Sequence, residues 1–181
     1  MIVEKTKLEG CFLISPSVHQ DERGLFIESF NKKNFETAIA DQIHFVQDNH
    51  SVSKKNVLRG LHYQEGMHSQ AKLVRVVQGS VLDVCVDIRP DSKTFGKHFS
   101  IVLNSTEHKQ LFIPRGFAHG FLTLEDNTIF NYKCDNYYNQ ESERGIRFDD
   151  STLNIDWGIL SSQVIVSDKD KRLPEFNSIF K

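Results

Sequence analysis

Three short stretches gather side chains that could exchange protons or hold anions. They are Gln47-Asp48-Asn49-His50-Ser51, Leu58-Arg59-Gly60-Leu61-His62-Tyr63-Gln64 and Ala71-Lys72-Leu73-Val74-Arg75. Together they bring two imidazoles, three cationic groups and several amides onto segments that read as strands. A polar group on the inner face of a small barrel needs a partner, because burying it unpaired costs about 1–3 kcal/mol. A ligand is one such partner and a structural hydrogen-bond network is the other, and the residues by themselves leave both open.

A second group is Ile113-Pro114-Arg115-Gly116-Phe117-Ala118-His119-Gly120-Phe121. A Pro-x-Gly turn leading into a strand that begins at a histidine resembles the second motif of the cupin superfamily, where that histidine often binds metal. Such a site needs several inward ligands converging on one ion. Here His62 is followed by Tyr63 and Gln64, so the His-x-His pair is missing, and His68 falls in the apparent loop 65–69. His62 and His119 therefore read as acid-base or hydrogen-bonding groups, with no metal expected. A third group, Asn131-Tyr132-Lys133-Cys134 with Tyr137, Tyr138 and Glu143-Arg144-Gly145-Ile146, offers hydroxyls and a stacking surface. Any one of these tyrosines could equally be a core aromatic with a satisfied hydroxyl. Ser167-Asp168-Lys169-Asp170-Lys171 reads, by itself, as a solvated charge run.

The elements that must carry these groups are mostly strands. Leu82, Val84, Val86 and Ile88 alternate with Asp83, Cys85 and Asp87, which predicts a strand with one apolar face. Gln78-Gly79-Ser80 separates it from the valine-rich run 72–77, as a hairpin turn does. Further strands are predicted over 24–30, 44–50, 57–64, 98–103, 110–113, 120–124 and 128–134. One short helix is predicted over 34–40, with Asn34 as its N-cap. Short, closely spaced strands with little helix predict an all-β fold, a cupin-like jelly-roll β-barrel with a few short helices. One domain over 1–181 is expected, its loop- and helix-rich segment from about 149 onward packing on the barrel.

Composition narrows the function classes. With 22 Lys+Arg against 24 Asp+Glu, well interspersed, the chain lacks the basic stripe of a nucleic-acid binder. Cys11, Cys85 and Cys134 are odd in number and widely spaced, which predicts buried free thiols in a reducing compartment. Glu4, Lys5, Lys7 and Glu9 interrupt any apolar signal core near the N-terminus, and no apolar run approaches the roughly 20 residues that cross a bilayer. A cytoplasmic protein without a membrane partner is expected.

Taken in order, the motifs resemble the dTDP-4-dehydrorhamnose 3,5-epimerase family. The match runs from Asp21-Glu22-Arg23-Gly24 with Phe26 and Glu28, through 45–51, 58–64, 72–76 and 114–121, to Tyr132-Lys133, Tyr137-Tyr138 and 143–146. It ends in Ile155-Asp156-Trp157 and Ser167-x-Lys169-Asp170. The sequence departs from that family's pattern at Ala71, where glycine is common, and in the loop 65–69.

The resemblance implies an isomerase that epimerises C3 and C5 of dTDP-4-dehydro-6-deoxy-D-glucose, with no cofactor and as a homodimer. It implies His62 as base, Asp170 as its carboxylate partner, Tyr132 as the acid on the other face and Lys72 beside the 4-keto oxygen. It also implies that Arg23, Phe26, Glu28, Gln47, Asn49, Arg59, His119, Glu143 and Lys169 hold the nucleotide sugar while Tyr138 stacks on the thymine. The chemistry suits these types: a C–H beside a ketone is acidic once the enolate charge is held, and neutral imidazole is available near pH 7. Three other readings remain: epimerisation of one carbon of a related nucleotide 4-keto sugar, a metal-dependent cupin enzyme, and a non-catalytic sugar-binding cupin. Strict strand alternation sends Arg59 and His62 to opposite faces, so a bulge or strand end is expected between them.

Overall fold

The computed structural model describes residues 1–180. In chain order the strands are β1 (Ile2–Lys5), β2 (Phe12–Ser15), β3 (Val18–Asp21) and β4 (Gly24–Ile27), then α1 (Lys32–Ile39), β5 (Gln47–Ser53) and β6 (Leu58–Gln64). They continue as β7 (Lys72–Gln78), β8 (Ser80–Asp87), β9 (His98–Asn104), β10 (Gln110–Ile113), β11 (Phe117–Thr123), β12 (Thr128–Cys134) and β13 (Glu143–Gly145). Two one-turn helices, α2 (Asp168–Lys171) and α3 (Phe176–Ile179), close the chain.

Two antiparallel sheets face each other in a cupin-like jelly-roll arrangement. One has the order β1-β2-β10-β7-β12-β5 and the other β13-β6-β11-β8-β9, while β3 and β4 form a hairpin apart from both. Between the sheets lies a core of Val74, Val76, Val81, Cys85, Leu103, Leu111, Phe117, Phe121 and Phe130. The outer face of the second sheet is covered by Leu153, Trp157 and Phe176 of the C-terminal segment, packed on Leu58, Val84, Val86 and Ala118. The outer face of the first is covered by Phe35 and Ile39 of α1, packed on Ile14, Leu73 and Phe112.

Several sequence expectations shift. The helix starts at Lys32, because Asn31 is its cap: its side-chain oxygen accepts from the Asn34 amide at 3.1 Å, so Asn34 is already inside the first turn. The strand expected over 44–50 is displaced to Gln47–Ser53, where it pairs residue for residue with β12. The strand expected over 24–30 ends at Ile27, and β11 begins at Phe117 rather than Gly120. The four-residue strands β1, β2 and β3 and the three-residue β13 carry too little pattern to be read in advance.

Both faces of β8 are buried. Its apolar face meets the C-terminal segment as a buried face should, but the opposite face, with Asp83, Cys85 and Asp87, is buried too. That face looks into the space between the sheets, so its acids are interior groups rather than solvated ones. Asp87 is paired there with Arg89 at 2.7 Å and accepts from Ser92 and Thr94. All three cysteines are buried and free, as expected.

A bulge lies where the alternation of β6 required one. His62 is opposite His119 on β11, but Arg59 is opposite Phe121, so β6 spends three steps where β11 spends two. The extra step is Gly60-Leu61, with Gly60 at φ 129°. A Cβ on Gly60 would stand 2.5 Å from Gly120 Cα and 2.9 Å from the His119 oxygen, so only glycine fits. Residues opposite one another share a face, and Arg59 and His62 therefore both project toward the side where His119 and Phe121 point.

Candidate active site

The face created by that bulge opens into a cavity of about 490 Å³ between the two sheets, closed on one side by the C-terminal turn. Arg59, His62, Lys72, His119, Tyr132, Lys169 and Asp170 all line it. They arrive on separate elements: β6 brings Arg59 and His62, β7 brings Lys72, β11 brings His119, β12 brings Tyr132, and α2 brings Lys169 and Asp170.

His62 Nε2 lies 2.8 Å from Asp170 Oδ1, and the Gly60 amide donates to Asp170 Oδ2 at 3.3 Å. Asp170 is only 4% exposed. Burial pushes its carboxyl up, but the His62 hydrogen bond and charge and the Gly60 amide outweigh it and hold the group below the ordinary carboxylate range. An ionised carboxylate only accepts, so in the neutral imidazole the hydrogen belongs on Nε2, facing Asp170, and Nδ1 carries the lone pair. That is an oriented base with a counter-charge for the imidazolium it would form. Ser167 fixes α2 in place by accepting from the Asp170 amide at 3.1 Å. The spacing Ser167-x-x-Asp170 is that of a helix cap, a signal a charge-run reading overlooks.

Across the cavity, Lys72 Nζ stands 6.0 Å from the centre of the Tyr132 ring. Burial pushes the Lys72 ammonium down from its usual value, only partly offset by the charges of Cys134, Asp83 and Glu143. Burial also raises the Tyr132 hydroxyl, so it stays protonated and able to donate. Cys134, behind Lys72, is pushed up to about 11 by burial and remains a neutral thiol. Arg59, whose Nε and Nη2 each reach Ser53 Oγ at 3.3 Å, places a forked cation at the mouth, the type that suits phosphate oxygens.

A connected rim continues from this cavity. Glu143 Oε2 accepts from Lys169 Nζ at 2.5 Å and from the Tyr138 hydroxyl at 2.8 Å. These bonds, opposed by burial, leave the Glu143 carboxyl below its ordinary range, and the Glu143 contact raises Lys169. The Tyr138 amide donates to Gln47 Oε1 at 3.0 Å, and Gln47 Nε2 donates to Asn49 Oδ1 at 3.0 Å. Tyr138 itself is exposed, with its ring free to accept a stacked group.

Three expected residues are not brought to the cavity. Arg23 lies at the tip of the β3–β4 hairpin, paired with Asp21 at 2.5 Å. Phe26 is 69% exposed, and Glu28 accepts from Asn31 and Asn34 on the other side of the first sheet. Conversely, Asp83, which is not among the expected site residues, lies buried behind His119 at 2.9 Å. Its alternation with the apolar face of β8 gives no sign of a site, because alternation alone does not say what the second face meets. Among the described residues no group of three or more His, Cys, Asp or Glu side chains could hold a metal ion, and no helix is long and apolar enough to cross a membrane.

The family model described as dTDP-4-dehydrorhamnose 3,5-epimerase matches residues 5–178. The chain belongs to the dTDP-4-dehydrorhamnose 3,5-epimerase family. This family member is 50% identical over 173 residues to the Escherichia coli K12 protein of that name, covering 96% of this chain and 93% of the relative. The crystal structure of an Elizabethkingia anophelis dTDP-4-dehydrorhamnose 3,5-epimerase superposes with a TM-score of 0.95 at 49% identity, covering 98% of this chain and 97% of the other. A Legionella pneumophila dTDP-6-deoxy-D-glucose-3,5-epimerase, solved in complex with dTDP-4-keto-L-rhamnose, superposes at 0.94 with 44% identity, covering 98% and 94%.

Proposed function

We propose that this cavity epimerises C3 and C5 of dTDP-4-dehydro-6-deoxy-D-glucose to give dTDP-4-dehydro-L-rhamnose, by removing and returning protons beside the 4-keto group. The observation that carries this reading is the joining of four chemically different groups on one cavity: the His62–Asp170 pair, the Lys72 ammonium and the Tyr132 hydroxyl. His62 Nδ1 takes the proton from the carbon, and the electron pair moves into the enolate with its charge on the 4-oxygen. Lys72 holds that charge, and a buried cation is worth far more to it than a solvated one. Tyr132 returns a proton to the opposite face, which inverts the carbon. Arg59 meets the diphosphate, while Tyr138, Glu143 and Lys169 at the rim take the nucleoside end. The steps are proton transfers alone.

Epimerisation in heavy water tests this directly. Proton NMR of the product formed from the 4-keto sugar nucleotide is expected to show deuterium at both C3 and C5. Label at one carbon alone would narrow the activity to a single-carbon epimerase, and label at neither would overturn it.

For Arg23, Phe26 and Glu28 to touch the same substrate, the hairpin that carries them has to come from another copy, since in its own chain it lies away from the cavity. We therefore infer a homodimer in which each β3–β4 hairpin reaches toward the partner's site. The exposed apolar side chains Val18, Leu25 and Phe26 on that hairpin support a buried role in the assembly. Light scattering is expected to give twice the 20.9 kDa chain mass. A monomer with full activity would sink the arrangement.

A further inference from the structure

A second histidine–carboxylate pair sits beside the first. His119 Nε2 is 2.9 Å from Asp83 Oδ2, with His119 7% and Asp83 0% exposed. Because His119 is opposite His62 across β11 and β6, both imidazoles project from the same face of the sheet. Asp83 is opposite Phe121 on the neighbouring strand, so it shares that face too. The His119 ring is further held against Phe130, nearly parallel to it at 6.0 Å between centres, and Phe130 stacks on Phe121 at 4.0 Å. Asp83 Oδ1 has no hydrogen-bond partner in the protein although it is fully buried. An acid placed this deep, without a full set of partners, is costly to the fold, and Asp83 contacts the cavity only through the imidazole it holds.

We propose that Asp83 is a positioning residue that fixes His119 with its hydrogen on Nε2, so that Nδ1 accepts a hydrogen bond from a hydroxyl of the bound sugar. The inference rests on the function proposed above and deepens it. A carboxylate cannot donate, so it selects the tautomer in which the distal nitrogen carries a lone pair. The 4-keto oxygen also only accepts, which excludes it as the partner of that nitrogen and leaves a sugar hydroxyl. The two histidines thus divide the work: His62 takes a proton from carbon, and His119 holds a hydroxyl without taking its proton. Contact with a hydroxyl is present in the ground state and the transition state alike, so it acts as uniform binding and its loss appears in KM.

The first test uses the unaltered protein. Long-range proton–nitrogen NMR on chain labelled with ¹⁵N-histidine, with the His119 signals assigned from a His119→Gln spectrum, is expected to show the hydrogen on Nε2 and a lone pair on Nδ1. Hydrogen on Nδ1, or on both nitrogens, overturns the proposal whether or not any variant folds. Asp83→Asn supplies the second test, because an amide N–H can donate to Nε2 and so move the histidine hydrogen to Nδ1 with little change of shape. In that variant the NMR signature is expected to switch and KM to rise about tenfold, with kcat within about threefold of the parent. A fold defect would lower kcat through the active fraction and leave KM in place. Unchanged KM in a folded variant whose tautomer has switched overturns the proposal. Deuterium incorporation by the unaltered protein stands or falls separately, so a failure of the epimerase reading is distinguishable from a failure of this one.

Discussion

His62→Ala is expected to abolish deuterium incorporation at both C3 and C5 and to lower kcat/KM by about 10³–10⁴-fold. The size follows from what the substitution removes. A positioned base contributes about 10²–10⁴, and His119 is the only other imidazole on the cavity with a carboxylate behind it. Lys72 is a cation, Tyr132 and Cys134 are protonated, and the His119 lone pair is directed to a hydroxyl. The variant also leaves Asp170 buried without its main partner, and the bond that held its carboxyl low is gone. Its pKa is expected to rise, so the loss of the imidazole is compensated by protonation of the acid more than by unfolding. Circular dichroism should therefore show a folded protein. A folded His62→Ala variant that still labelled either carbon at the parental rate would place the base elsewhere.

Lys72→Met should lower kcat by about 10²–10³-fold while leaving nucleotide binding close to its parental strength. The methionine keeps the apolar stem of the side chain and removes the ammonium group at its end. The enolate oxygen then loses the ammonium beside it, and the cost falls on the transition state, where that charge develops. The pH dependence carries the same signature. Burial depresses the Lys72 pKa, and the reaction needs the protonated amine. Activity is therefore present below the folded-state pKa and lost as pH rises through it, beginning at lower pH than an ordinary lysine would give. The residual activity of Lys72→Met should lack this alkaline limb. If the limb persists unchanged, another group is responsible for it. If kcat is unchanged, Lys72 does not hold the enolate.

The chemistry of the site was legible in the sequence to a considerable depth. An imidazole, an ammonium, a phenol and a guanidinium stand at 62, 72, 132 and 59 on runs that alternate as strands do, and each residue type brings its own proton affinity wherever it is placed. Even the irregularity in β6 could be anticipated, because Arg59 and His62 cannot share a face of a regular strand. Gly60 was the available pivot.

What stayed illegible depended on pairings between distant parts of the chain. Asp170 by itself looks like one charge in a solvated run; only the family resemblance implied its pairing with His62, and the pair forms because a C-terminal turn packs back across 108 residues of chain. Asp83 looks like the wet side of an amphipathic strand, since alternation separates two faces but cannot say whether the second one meets water or another sheet. The helix cap moved from Asn34 to Asn31 for a more local reason: either asparagine could cap, and the backbone turn chose the one whose side chain reaches the third helical amide. Arg23, Phe26 and Glu28 match the family motif as well as any residue does, yet the fold of a single chain sets them apart from the cavity.

The motifs and their order thus carried the family resemblance and the proton-transferring groups it implies, and alternation pointed to short antiparallel strands to hold them, because residue type and strand periodicity are properties of a few neighbouring residues. Tertiary structure decided which acids became interior partners and that Arg23, Phe26 and Glu28 lie away from the cavity of their own chain. Burial and pairing are set where distant strands meet, and no local stretch of sequence contains that information.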